Sequence, residues 1–343
     1  MIADRFEAIT RQYPRLRVAI VGDFCLDRYL EIDPARTETS IETSLPVYNV
    51  TKVRAQPGGA GTVLNNLSAL GVSTLYPMGF AGEDGEGYEL CRALAAQPGV
   101  RLDYFLQTSD RHTFTYCKPL VMELGKSPRE LNRLDQKNWT PTPLALAGRL
   151  SAAVTSVANE VDALVLLGQV DEPETGVLTA GVLATLSTIA RAKPARLILA
   201  DNRHSLRGFP PVVLKMNAAE LAALTGTQSY SAVTDIAAAA VGLARRNGRP
   251  VFVTLAERGI VGASPDGQAE HLPALTVRGE IDIVGAGDAV SANLTTALAA
   301  GATVREAMEL ANLAASIVVH QLGTTGSASV AQLRQLRFGD DPA

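Results

Sequence analysis

The segment Asp282-Ile283-Val284-Gly285-Ala286-Gly287-Asp288 concentrates the most chemistry in this chain. Glycines at a helix start leave backbone N–H groups unobstructed and unpaired, and their partial positive charge suits an oxyanion or a phosphate. Asp288 then stands in the first helical turn, directly beside that anion. Taken alone, the same residues could simply make a tight strand-to-helix turn, with Asp288 favouring the helix dipole. A second cluster, Gly58-Gly59-Ala60-Gly61, would let the backbone approach a ligand closely. Asp23 and Asp27, just beyond the apolar run Arg17-Val-Ala-Ile-Val21, are placed where carboxylates could grip paired hydroxyls. Asn217 and Glu220 read in two ways: as an N-cap with its N3 partner, or as residues ordering magnesium-bound water beside a nucleotide.

These residues need a scaffold, and the chain supplies an alternation of short β-type runs with helical segments. Strands are expected at 17–21, 73–78, 162–167, 196–200, 211–216 and 250–255, with a further strand leading into Asp282. Helices are expected at 59–70, 86–96, 174–192, 286–300 and 304–319. Such alternation predicts a mostly parallel sheet covered on both faces, with ligands beyond the carboxyl ends of its strands. Two stretches, 29–56 and 102–134, break the pattern with Val, Thr and Tyr among polar residues, and read as a small sheet projecting from the main domain. The small residues Ala311, Ala314, Ala315 and Ser316 suit close helix packing or the approach of a flat ligand.

Three familiar phosphate loops were tested against the sequence. Gly125-Lys126-Ser127 ends like a Walker A loop, but Leu120 occupies the position of its first glycine. Gly285-Ala286-Gly287 begins a dinucleotide fingerprint, but Val290 stands where the third glycine belongs, so a nicotinamide-dependent oxidoreductase is the weakest reading. The Asp-Phe-Gly and His-Arg-Asp motifs of protein kinases are both missing.

At 343 residues, 47% hydrophobic and 19% charged, the chain can bury a sizeable core. Lys+Arg 31 against Asp+Glu 35 leaves a net charge of −4, so no broad positive field invites nucleic acid. Cys25, Cys91 and Cys117 show no metal-ligand spacing and fit a reducing compartment. Apolar runs are too short to span a bilayer and the first residues lack a secretion signal, so a cytoplasmic location without membrane partners is the expectation.

In this order, the segments resemble the ribokinase-like (PfkB-type) carbohydrate kinase family, from about Arg17 to Gly326. Asp282-x-x-Gly285-Ala286-Gly287-Asp288 matches its most specific signature, Gly58-Gly59 an earlier one, and Asn217-x-x-Glu220 its magnesium-associated motif. The first third is most similar to the heptose-phosphate kinase branch, in Val21-Gly22-Asp23-x-x-Leu26-Asp27-Arg28-Tyr29, Glu42-x-x-x-Pro46-Val47 and Arg133-Leu134-Asp135. Departures are Thr62, where that branch has a sugar-contacting Asn, Gly168-Gln169-Val170 in place of an Asp-Tyr pair, and Ala256 in place of Gly or a small polar residue.

The resemblance implies an α/β fold, a ribokinase-like three-layer αβα domain spanning 1–343 with a projecting lid. It implies phosphoryl transfer from ATP to a sugar or sugar-phosphate hydroxyl, with Asp288 as general base and the amides of Gly285, Ala286 and Gly287 as an anion hole. Asp23, Asp27, Gly58, Gly59 and Thr62 would surround the sugar. Asn217 and Glu220 would position Mg2+, Arg203 would neutralise phosphate, and Thr254, Asn312 and Ala315 would flank the nucleotide base. Asp282 and Val284 would mark a loop for a monovalent cation such as K+, and exposed lid strands would pair two copies into a homodimer. A catalytically silent sugar- or nucleotide-binding protein on the same fold is the alternative.

Overall fold

The computed structural model describes residues 1–339. Its centre is an eight-stranded sheet. From one edge the strands run Ala269–Leu272, Ile260–Ala263, Val251–Thr254, Val213–Asn217, Leu197–Asn202, Ala163–Gly168, Arg17–Gly22 and Thr74–Met78. The last six are parallel, and the first two are added antiparallel at the edge.

Because successive strand residues point to opposite faces, each strand feeds two cores. Val18 and Ile20 join one cluster and Ala19 and Val21 the other; Val165 and Leu164 divide likewise. Helices Ala60–Ala69, Ala286–Ala299 and Val304–Val318 cover the first face. Helices Leu144–Val157, Ala180–Ala192 and Val233–Asn247 cover the second. The result is the expected three-layer αβα arrangement. No helix among the described residues is long and apolar enough to cross a membrane.

Helix Ala286–Ala299 is buried continuously from Ala289 to Ala297. Small side chains make this burial possible, and their hydroxyls are satisfied. Thr295 donates to the Ser291 carbonyl at 2.7 Å and Thr296 to the Ala292 carbonyl at 3.0 Å, while Ser291 donates to the Asp201 carboxylate at 2.8 Å.

The projecting sheet is present, with different bounds from those expected. Its strands are Phe24–Ile32, Val50–Gly59, Phe114–Val121, Arg129–Glu130 and Leu134–Gln136. It therefore begins directly after the first core strand, with Asp23 alone between them. The stretch before Phe114 is not part of it, since Leu106–Thr108 pairs in parallel with Phe80–Gly82 in a separate two-stranded sheet.

Two further expectations are corrected. Helix Ala180–Ala192 starts at its Thr179 cap rather than at Glu174, because the Val177 amide is held by Asp23 and Glu174 has φ +62°. No strand precedes the glycine motif; residues 273–283 have no regular structure.

Gly59 caps helix Ala60–Ala69 with φ +58° and ψ −123°, and a Cβ there would lie 2.5 Å from the Asp23 carbonyl oxygen. Only glycine fits both conditions. Gly59→Ala is expected to destabilise the fold by about 2 kcal/mol or more in urea denaturation; an unchanged midpoint would show that the junction relaxes freely.

Candidate active site

The carboxyl ends of the parallel strands and the amino end of helix Ala286–Ala299 meet at one place. Gly285 provides the left-handed turn, φ +83°, that aims the helix there. The first helical bond runs from the Ala289 amide to the Gly285 carbonyl at 3.0 Å, so the amides of Gly287 and Asp288 precede the ladder. Ala286 differs slightly from expectation, because its amide turns back to the Ile283 carbonyl at 3.3 Å. Asp288 lies in the first turn and keeps part of its surface open.

Its carboxyl is pushed up to about 7. Burial is the main cause and the Asp201 carboxylate adds to it, while Lys215 and Arg203 oppose the shift. A carboxyl titrating near neutrality can accept a proton and later release it.

On one side of Asp288 is a cleft of about 570 Å³, lined by Asn217, Thr254, Ala286, Gly287, Asn312 and Ala315 among others. Four segments distant in sequence thus converge, and the volume is in the range of small-ligand sites. Its remaining wall is largely apolar, with Leu275, Val277, Ile281, Ile283 and Val319. Asn312 fixes the irregular stretch above the cleft by donating from Nδ2 to the Pro273 carbonyl at 3.0 Å.

Asn217 and Glu220 form a complete capping box. Asn217 Oδ1 accepts from the Glu220 amide at 2.8 Å, and the Asn217 amide donates to Glu220 Oε2 at 2.7 Å. The other Glu220 oxygen has no hydrogen-bond partner among the described residues. Structural and metal-ordering roles are therefore compatible in this pair.

On the other side, Asp27 is 6% exposed and pairs with Lys118 Nζ at 3.4 Å. Burial raises its carboxyl above the usual range, against the pull of Lys118, Arg133 and Arg203. A Cβ on Gly58 would stand 2.7 Å from Asp27 Oδ2, so this glycine makes room for the carboxylate itself. Arg203 is exposed, with its amide bound to the Gly168 carbonyl at 3.1 Å, and its charge is felt at Asp27, Glu220 and Asp288 alike.

Two residues expected near a sugar are placed otherwise. Asp23 is 1% exposed, and its oxygens accept from the amides of Gln169 at 2.8 Å, Val170 at 3.2 Å and Val177 at 2.7 Å. It fastens the loop after strand Ala163–Gly168 to the start of the projecting sheet. Thr62, also 1% exposed, packs its methyl beneath Gly285. Neither presents a surface to a ligand.

Asp282 accepts from the Val284 amide at 3.0 Å and the Gly323 amide at 3.1 Å, joining the loop before the glycine helix to the turn after helix Val304–Val318. Each oxygen retains further acceptor capacity. Lys118 and Lys215 went unnoticed in the sequence, where an isolated lysine has no distinctive spacing; only their burial beside carboxylates identifies them.

The family model described as pfkB family carbohydrate kinase matches residues 17–331. Among curated proteins the chain is similar to Bifunctional protein HldE of Rhodospirillum rubrum, 34% identical over 317 residues, covering 92% of this chain and 61% of that one. Bifunctional protein HldE of Azorhizobium caulinodans is 32% identical over 308 residues, covering 90% and 61%. The chain thus spans about three fifths of the length of these relatives. Among solved structures, Arabidopsis thaliana ribokinase complexed with ribose and ATP superposes with a TM-score of 0.66 at 18% identity, covering 94% of this chain and 98% of that one. Escherichia coli phosphofructokinase-2 in complex with potassium gives 0.67 at 18%, with the same coverage.

At the cleft rim, Ala256 has φ +52°. A left-handed alanine is strained by roughly 1–2 kcal/mol, which glycine relieves. Ala256→Gly is expected to stabilise the chain by about 1 kcal/mol in denaturant titration; a loss of stability would contradict the strain.

Proposed function

Because the chain belongs to the pfkB family of carbohydrate kinases, we propose that it transfers the γ-phosphoryl group of ATP to a hydroxyl of a sugar or sugar phosphate, with Asp288 as general base. Family membership favours this reading over a silent binding protein and over a nicotinamide enzyme. The observation that carries it is the position of Asp288: a near-neutral carboxyl in the first turn of a glycine-started helix, between the cleft and Asp27 with its glycines.

The nucleotide occupies the 570 Å³ cleft, its base between Thr254 and the Asn312–Ala315 side. Asp27 and the backbone at Gly58 and Gly59 hold the acceptor. Its hydroxyl oxygen attacks the γ-phosphorus and the proton passes to Asp288. The bond to the β,γ-bridging oxygen breaks, and its electron pair leaves with ADP. Charge on the transferring group meets the amides of Gly285 and Gly287 and the guanidinium of Arg203, with the Ala286 amide joining them only by giving up its 3.3 Å bond to the Ile283 carbonyl. Asn217 and Glu220 would hold Mg2+ through water, a role suited to the uncommitted Glu220 oxygen, and the metal would supply charge neutralisation of the phosphates. Asp282 and the backbone of Val284 would hold a K+ ion, which would supply positive charge beside the glycine loop. Unpaired Cys25, Cys91 and Cys117 accord with work in the cytoplasm.

Two copies associate through the projecting sheet. Its outer groove is lined by Leu30, Ile32, Tyr48, Val50, Pro119 and Leu134, with Tyr48 49% and Leu134 65% exposed. Apolar surface of this kind on a soluble chain is a contact surface. Size-exclusion chromatography with light scattering should give twice the chain mass, and Tyr48→Glu with Val50→Glu should give the single-chain mass; an unchanged mass excludes this interface.

With magnesium-ATP and an acceptor found by screening sugars and sugar phosphates, Asp288→Asn should lower turnover at least ~10²-fold. Wild-type turnover should climb about tenfold per pH unit below 7 and level off above. Stability carries the opposite sign. The folded carboxyl titrates near 7 and the unfolded one near 4, so the folded state holds the extra proton between them and loses stability as pH rises through that window. Asp288→Asn should therefore melt above the wild type at pH 8, with the gap narrowing towards pH 4. Intact turnover in the variant would remove Asp288 as the base.

A further inference from the structure

Strand alternation places Lys215 on the face of the sheet that meets helix Ala286–Ala299, on the same side as Val213. The residue is 6% exposed, which is unusual for an ammonium group and requires paired charge. Its Nζ donates to Asp201 Oδ2 at 2.7 Å. That same oxygen accepts from Ser291 Oγ at 2.8 Å, so the ammonium, strand Leu197–Asn202 and the buried helix are tied at one atom.

An ammonium has three N–H donors, and Asp201 is its one hydrogen-bond partner among the described residues. The ammonium lies beside Gly287: a Cβ there would stand 3.2 Å from Lys215 Nζ. The group thus sits against the backbone of the helix's first turn, where the glycine amides are not consumed by the helical ladder. Asp201, Asp288 and Glu220 all act on it and together hold it protonated despite burial. A phosphate entering beside these carboxylates needs a cation at the point of contact, and the Lys215 ammonium is the buried cation that lies against the glycine turn.

We propose that Lys215, tethered by Asp201 beneath Gly287, donates a charge-assisted hydrogen bond to the terminal phosphoryl group of the bound nucleotide and keeps it while that group passes to the acceptor. Lys215 stays protonated throughout; the hydroxyl proton goes to Asp288 and the departing electron pair to ADP. Gly287 is small because the ammonium and the phosphoryl group share the space beside its Cα. The proposal rests on the kinase reading above and adds a catalytic residue to it.

The competing role for Lys215 is to neutralise Asp201 and nothing more, and nucleotide binding separates the two. The full chain, Lys215→Met and the double variant Lys215→Met/Asp201→Asn are titrated calorimetrically with magnesium and either the β,γ-imido analogue of ATP or ADP. If Lys215 meets the terminal phosphoryl group, both variants lose roughly tenfold to a hundredfold in affinity for the triphosphate analogue and little for ADP, the range expected for one charge-assisted hydrogen bond. The double variant removes both buried charges together, so it carries the comparison even if the single variant unfolds, as circular dichroism will show. Wild-type preference for the triphosphate in the double variant would overturn the proposal and leave the kinase reading standing. Equal loss of both nucleotides in folded variants would overturn it too. A wild-type chain that binds neither nucleotide would instead sink the kinase reading, and the proposal with it.

Discussion

A helix whose middle is buried on every side must be apolar or internally satisfied all round, and that constraint governs the whole site. Helix Ala286–Ala299 is wedged between the central sheet and helices Ala60–Ala69 and Val304–Val318, and it has no freedom to slide. Its threonine hydroxyls return to their own backbone and Ser291 meets Asp201, so burial leaves them satisfied. The amides at its amino end and the Asp288 carboxylate inherit this immobility. Preorganised dipoles of this kind need no rearrangement when charge develops beside them.

The charges around that helix end are balanced across elements. Asp201, Glu220 and Asp288 come from three different segments, and Lys215 and Arg203 offset them from two positions of contrasting exposure. Asp27 and Lys118 form a second, smaller balance on the projecting sheet. Burial sets the direction of the shift at Asp27, Glu220 and Asp288, and the cations limit it. A change of charge in any one of these groups therefore reaches the others, and substitutions here are not additive with those of their neighbours.

The sequence disclosed those features whose physics is local. Glycines at a helix start, the Asn217 and Glu220 spacing and the strand and helix alternation are all settled within a few residues, and the layers follow from them. Burial is decided by what packs on top, which is why Asp23 and Thr62 read as ligand-facing and prove to be internal. The limits of the projecting sheet depend on which strand Leu106–Thr108 joins, a choice between partners distant in sequence. Lys118 and Lys215 had no signature at all until the carboxylates opposite them were placed. Ala256 stood out as a departure in sequence, and its left-handed backbone supplies the physical meaning.

The bolt formed by Asp23 has mechanical implications for the projecting sheet. Strand Phe24–Ile32 emerges from the core through a single residue whose carboxylate grips three amides of a neighbouring loop. Asp27 lies only four positions beyond that anchorage. The carboxylate assigned to the acceptor therefore belongs to the clamped root of the sheet, while the exposed ends of its strands lie farther out.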